Sequence, residues 1–158
     1  MIVRRFEPPP RPWLAGHRGV DLGANPDALV LAAGAGVVRF AGLLAGRGVV
    51  SVDHPGGLRT TYEPLVPQVR AGQRVVRGDV LGRLSPGHPG CAVAACLHWG
   101  LRRGADYLDP LILFGLGRVR LLPAPGSQQR GQPFGQPVVL LRPVVDLRRQ
   151  PEQAAPVP

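Results

Sequence analysis

The chain reads as short apolar runs cut at close intervals by glycine and proline. Between Asp27 and Leu84 these runs are ALVLAA, GVVRFAGLL, GVVSVDH, GGLRTTYEPL and QRVVRGDVLGRL. Runs this short, rich in Val and Leu and bounded by turn residues, predict strands, and their rhythm predicts a small antiparallel β-structure. The stretch VDHPGGLRTTY reads as a hairpin, with Pro55, Gly56 and Gly57 turning the chain between a strand ending near His54 and one starting near Leu58. A further strand is predicted from Cys96 to Arg103. Alternation there puts Cys96, His98, Gly100 and Arg102 on one face and Leu97, Trp99 and Leu101 on the other. The Leu/Trp/Leu face is the expected core side, which leaves His98 on the more polar one.

The ends of the chain follow a different pattern. Residues 1–14 contain PPPRP, which enters neither a helix nor a central strand, so they are expected to form an extended lead-in. Residues 15–122 carry the strand rhythm and are expected to form the domain. Residues 123–158 are dominated by Pro, Gln and Gly without a repeat and are expected to be disordered. The exception is VVLLRPVV (residues 138–145), broken by Pro143, which could dock as an edge strand.

Composition narrows the class. A chain of 158 residues that is 44% hydrophobic suffices for one core and is too short for two ordinary domains. With Gly 22 and Pro 19, long helices have little room, so an all-β domain is expected. The formal charge of +9 suits an acidic partner, but all 19 basic residues are Arg and they are scattered from Arg4 to Arg149. Without a basic run interleaved with aromatics, nucleic acid is not the expected partner. No stretch reaches the ~18 consecutive apolar residues of a membrane span, and MIVRRFEPPPRPW lacks the apolar region of a signal peptide.

Candidate chemistry sits in two places. In GHRGVDL, His17 and Asp21 both offer suitable zinc-ligand atoms. On a straight strand their Cα atoms would be about 13 Å apart, so sharing one ion requires a bend, which Gly16 and Gly19 permit. The second place is the polar face of CLHWGLR, where His98 is a candidate third ligand.

The order GHRGVDL, GVVSVDHPGGLRTTYEPL, VRAGQRVVRGDVLGRL, CLHWGLRRG and YLDPL resembles that of the lysostaphin/LytM-like zinc peptidases, which cut peptide bonds in bacterial peptidoglycan. The likeness covers roughly Gly16 to Leu111. It implies a small all-β LytM-like domain over residues 15–122, with His17, Asp21 and His98 binding Zn2+ through the pattern H-x-x-x-D plus H-x-H. Three protein ligands leave a fourth position open, the arrangement of a catalytic zinc. It also implies peptidoglycan as partner and an extracytoplasmic location.

Two of the family's positions differ. The assisting histidines of the family fall in a Y-x-H-L-like stretch and at the first His of H-x-H, and these positions are read here as Glu63, in TTYEPL, and Cys96. Glu63 is either a substitute general base or an idle turn-edge residue before Pro64. Cys96 is open to three readings: a disulfide with Cys91, a fourth zinc ligand, or a buried apolar residue. His54 and His88 read first as solvated loop residues, although the His88 imidazole, in the loop leading to the site strand, could replace a lost one. Arg102 could bind a peptide carboxylate from the site face. VRAGQRVVRGDVLGRL also resembles biotinyl and lipoyl carrier sandwiches, but those need a cofactor-bearing lysine and the chain has none. Two functions therefore remain open: an endopeptidase of peptidoglycan cross-links using Glu63, or a zinc-retaining pseudo-peptidase that binds wall or regulates another hydrolase.

Overall fold

The computed structural model describes residues 1–11, 13–115 and 145–146. In chain order its strands are β1 (Ile2–Arg4), β2 (Gly19–Ala24), β3 (Leu29–Leu31), β4 (Gly36–Leu44), β5 (Arg47–Asp53), β6 (Leu58–Glu63), β7 (Leu65–Pro67), β8 (Arg74–Val75), β9 (Val80–Leu84), β10 (Ala95–Arg103), β11 (Asp106–Leu108) and β12 (Val145–Asp146). The larger sheet has the order β1-β2-β10-β6-β5-β4-β8, with β11 paired to β10, and the smaller has the order β12-β3-β9-β7. All pairings among these strands are antiparallel. The only helical pieces among the described residues are two 3-10 turns, Pro55–Gly57 and Pro110–Phe114, so the fold is all-β.

The predicted periodicity explains how the larger sheet buries one face. Val20, Val50, Val52, Tyr62, Leu97 and Trp99 are each fully buried and pack with Val30, Leu65, Leu81 and Leu84 from the smaller sheet and its approaches. The other face of β2, β10 and β6 presents Asp21, His98 and Glu63, which are brought side by side by the registers His98↔Asp21 and His98↔Glu63. The hairpin turn falls at Pro55–Gly57, where Gly56 and Gly57 take φ of 75° and 72°, a region that disfavours side-chain-bearing residues. The YLDPL stretch closes one end of the core. There the Asp109 carboxylate accepts from Leu111 N–H at 2.9 Å, and Phe114 lies against Trp99.

The N-terminal segment is extended over Ile2–Arg4, and Leu14 N–H donates to the Arg11 carbonyl at 3.0 Å in a turn before the first motif. Ile2–Arg4 adds an edge strand to β2, and Glu7 and His17 exchange backbone hydrogen bonds of 3.0 and 2.8 Å. Within 123–158 only Val145–Asp146 falls among the described residues, pairing with β3 at the edge of the smaller sheet; the rest of the expected tail, and residues 138–144 of VVLLRPVV, lie outside them. His54 is not a free loop imidazole. Its Nδ1 donates to the Ala35 carbonyl at 2.8 Å and its Nε2 lies 2.7 Å from the Thr60 hydroxyl, which fixes the turn to the sheet.

Candidate metal centre

His17 precedes β2, and the bend that its sharing of a site with Asp21 requires is present. The backbone pairs with Glu7 before entering the strand, and His17 Nε2 comes to 3.0 Å from Asp21 Oδ1. His98 projects from the neighbouring central strand, with its Nδ1 at 2.9 Å from Asp21 Oδ1 and 3.1 Å from His17 Nε2. Three ligand-type atoms thus form a triangle about 3 Å on a side, on side chains that are mostly out of solvent.

The donor set fits a metal ion. His17 Nδ1 donates to the Arg5 carbonyl at 2.7 Å, so the neutral ring carries its hydrogen there and presents a lone pair at Nε2. That lone pair, the His98 Nδ1 and a carboxylate oxygen converge on one point, an arrangement that a bound cation would suit. In a tetrahedral zinc site with bonds of ~2.0–2.1 Å, ligand atoms lie about 3.3 Å apart. The triangle needs to expand by only a few tenths of an ångström. Among the described residues these three form the group of His, Cys, Asp and Glu suited to hold one ion.

Electrostatics favour the ionised carboxylate. Burial by itself raises the Asp21 pKa, but the hydrogen bond with His98 and Coulombic attraction to the surrounding imidazoles when these are protonated outweigh it, and the net shift is downward.

The other candidate residues divide. Cys96 is fully buried and bonded to Cys91, with Cα atoms 5.7 Å apart, which resolves its three readings in favour of the disulfide. Glu63 lies beside His98 in the strand register and lines both clefts, and its Oε2 accepts from Arg47 Nε at 2.7 Å. Taken letter by letter, Y-x-H-L falls on Tyr62, Glu63, Pro64 and Leu65, so Pro64, not Glu63, stands at the imidazole's letter. His88 is no solvated loop residue either. Its Nε2 lies 3.5 Å from Asp21 Oδ1 and its ring stacks on His98 at 5.8 Å between centroids.

Two clefts meet at the cluster. One, of ≈ 580 Å³, runs past His88, Leu43, Pro64 and Val66; the other, of ≈ 320 Å³, runs past Arg18, Arg102 and Tyr107; both are lined by His17, Glu63 and His98. Sequence reading missed the Arg5 carbonyl and Arg47, because neither belongs to a motif; each reaches the site through strand pairing.

Residues 15–110 match Peptidase family M23, and the chain belongs to that family. It is 56% identical over 126 residues to the protein Rv2891 of Mycobacterium tuberculosis, a match covering 77% of this chain and 51% of that protein. The chain thus spans about half the length of this relative. Its fold is like that of LytU (TM-score 0.60, 22% identity, 72% of this chain and 83% of that one) and lysostaphin (TM-score 0.58, 24% identity, 84% of this chain and 59% of that one). Among the described residues no helix is long and apolar enough to cross a membrane.

Proposed function

We propose that this domain is a zinc-dependent endopeptidase of peptide cross-links in bacterial peptidoglycan, acting outside the cytoplasm. The observation that carries the reading is the convergence of His17, Asp21 and His98 at the junction of two clefts. His17, Asp21 and His98 would hold the zinc, whose chemistry there would be Lewis acidity toward a carbonyl and the activation of a water. The chain's own residues do the rest. The Arg5 carbonyl orients His17, and β2 and β10 hold Asp21 and His98 in register. A peptide laid along the two clefts meets an apolar wall at Leu43, Pro64 and Val66 on one side. On the other it meets Arg102, suited to a stem-peptide carboxylate. Glu63, beside His98 and held by Arg47, is the general base in this reading.

The test is release of new amino groups from purified peptidoglycan. Activity is expected to disappear on chelation and return with zinc, and Glu63→Gln is expected to keep zinc while losing about 10²-fold or more in rate. A second reading rests on the resemblance, by which Pro64 and the disulfide-bonded Cys96 would stand where the family places its assisting imidazoles. In that case the domain retains zinc and binds wall without cutting it. Co-sedimentation with peptidoglycan without release, alongside release by a Pro64→His/Cys91→Ser/Cys96→His variant, would establish that second reading.

A further inference from the structure

The loop of residues 85–94 leaves β9 in the smaller sheet and enters β10 inside the larger one, bringing His88 beside Asp21 and His98. At its start Ser85 N–H donates to the Pro64 carbonyl at 3.1 Å. At its end the disulfide ties Cys91 to Cys96, two residues before His98 on the same strand. Between these anchors Cys91 N–H donates to the His88 carbonyl at 3.2 Å, closing a turn in which Gly90 takes a φ of 78°. One covalent path therefore runs from β10 through the disulfide and the turn to His88. It delivers the imidazole to the wall of the larger cleft, stacked on His98.

The position of that ring points to a ligand. His88 Nδ1 is buried and has no hydrogen-bond partner among the described residues. A buried polar nitrogen left unpaired costs free energy unless something else satisfies it. Its Nε2 makes no close bond either, at 3.5 Å from Asp21 Oδ1 compared with the 2.9–3.1 Å of the triad. We propose that His88 contacts the reacting carbonyl of the bound peptide, donating a hydrogen bond to its oxygen, and that the Cys91–Cys96 disulfide is the positioning device that holds it there. This rests on the metal-centre reading above and adds a substrate contact from outside the ligand motifs.

The test uses the zinc-loaded full chain and acetohydroxamate, a small metal-seeking mimic of an amide with an anionic oxygen, with binding followed by calorimetry. His88→Ala is expected to hold one zinc with unchanged affinity and to bind acetohydroxamate about 10- to 100-fold more weakly, the worth of one hydrogen bond to a charged group. His88→Gln, which keeps a donor, is expected to recover part of the loss. Cys91→Ser/Cys96→Ser is expected to weaken binding by up to the same factor, and the triple variant to be no weaker than His88→Ala alone, because the disulfide acts through His88. Reducing the wild-type disulfide with a phosphine opens the loop without substitution, should the serine pair fold poorly. Unchanged acetohydroxamate affinity in His88→Ala, additive losses in the triple variant, or loss of zinc from His88→Ala would each overturn the proposal. A wild-type chain that holds no zinc overturns it together with the metal centre. His88-dependent acetohydroxamate binding by a chain that releases nothing from peptidoglycan supports it and overturns the endopeptidase reading alone.

Discussion

Replacing Gly19 by alanine probes how the strand packing builds the proposed metal site. A Cβ at Gly19 would lie 2.6 Å from the Trp99 carbonyl oxygen, 2.7 Å from His98 Nε2 and 2.8 Å from His98 Cε1. Non-bonded heavy atoms settle near 3.5–4.0 Å, so about an ångström of relief is needed on each contact. The Trp99 carbonyl belongs to β10, which β2 and β6 grip from both sides, and it yields little. The His98 ring is therefore the part that moves, carrying its Nδ1 away from Asp21 and His17. Overpacking of this kind costs about 1–3 kcal/mol in stability, and displacing a ligand's support costs about 10–100-fold in metal affinity. Gly100 supplies the control. It pairs with Gly19 across the same two strands, yet its nearest neighbours to a new Cβ are the Arg18 carbonyl at 3.7 Å and Thr61 Cβ at 3.8 Å. Gly100→Ala is expected to leave zinc affinity unchanged and to stay within about 1 kcal/mol of wild type in stability. Urea unfolding of the chelated proteins gives the stability, and competition with a zinc-binding dye gives the affinity. If Gly19→Ala matches Gly100→Ala in zinc affinity, the His98 ring is not held as described and the reasoning fails.

Two further expectations concern groups away from the ligands. The oxidised protein is expected to show no free thiol when titrated under denaturing conditions, since its two cysteines are joined; two reactive thiols would contradict that. Burial raises the Tyr62 phenol pKa, outweighing its hydrogen bonds with Thr60 and the Ala33 N–H. A raised folded value gives stability that is fully present below the unfolded pKa of about 10 and is lost as pH rises beyond it. Alkaline unfolding scans are therefore expected to show a loss above about pH 10 that Tyr62→Phe reduces, and an equal slope in both proteins would contradict the assignment.

How much was legible in the sequence depended on whether the signal was local. Alternation in CLHWGLR is a property of one strand, so the buried Leu97, Trp99 and Leu101 and the outward His98 could be read directly. The hairpin at Pro55–Gly57 was legible for the same reason. The ligand trio needed the family pattern, because nothing local says that β2 lies beside β10 with Asp21 opposite His98. The partners from outside the motifs were not legible at all. Arg5 acts through its backbone carbonyl, which has no sequence signature, and reaches His17 only because a proline-rich lead-in still supplies an edge strand. Arg47 meets Glu63 through the pairing of β5 with β6. His88 sits in a Pro/Gly-rich loop with no local signal, since its approach to Asp21 depends on a crossing between sheets and on the Cys91–Cys96 pairing. Cys96 was legible as a departure from H-x-H, but what its side chain does became clear only from the fold.

The most direct test of the account is the zinc content of the purified full chain beside that of His98→Ala, both exchanged against the same zinc-buffered solution. The account predicts about one zinc per chain in the wild type and loss of most of it in the variant, because two remaining ligands cannot hold the ion in competition with the buffer. Equal zinc in the two proteins, whether near one or near zero, would contradict it.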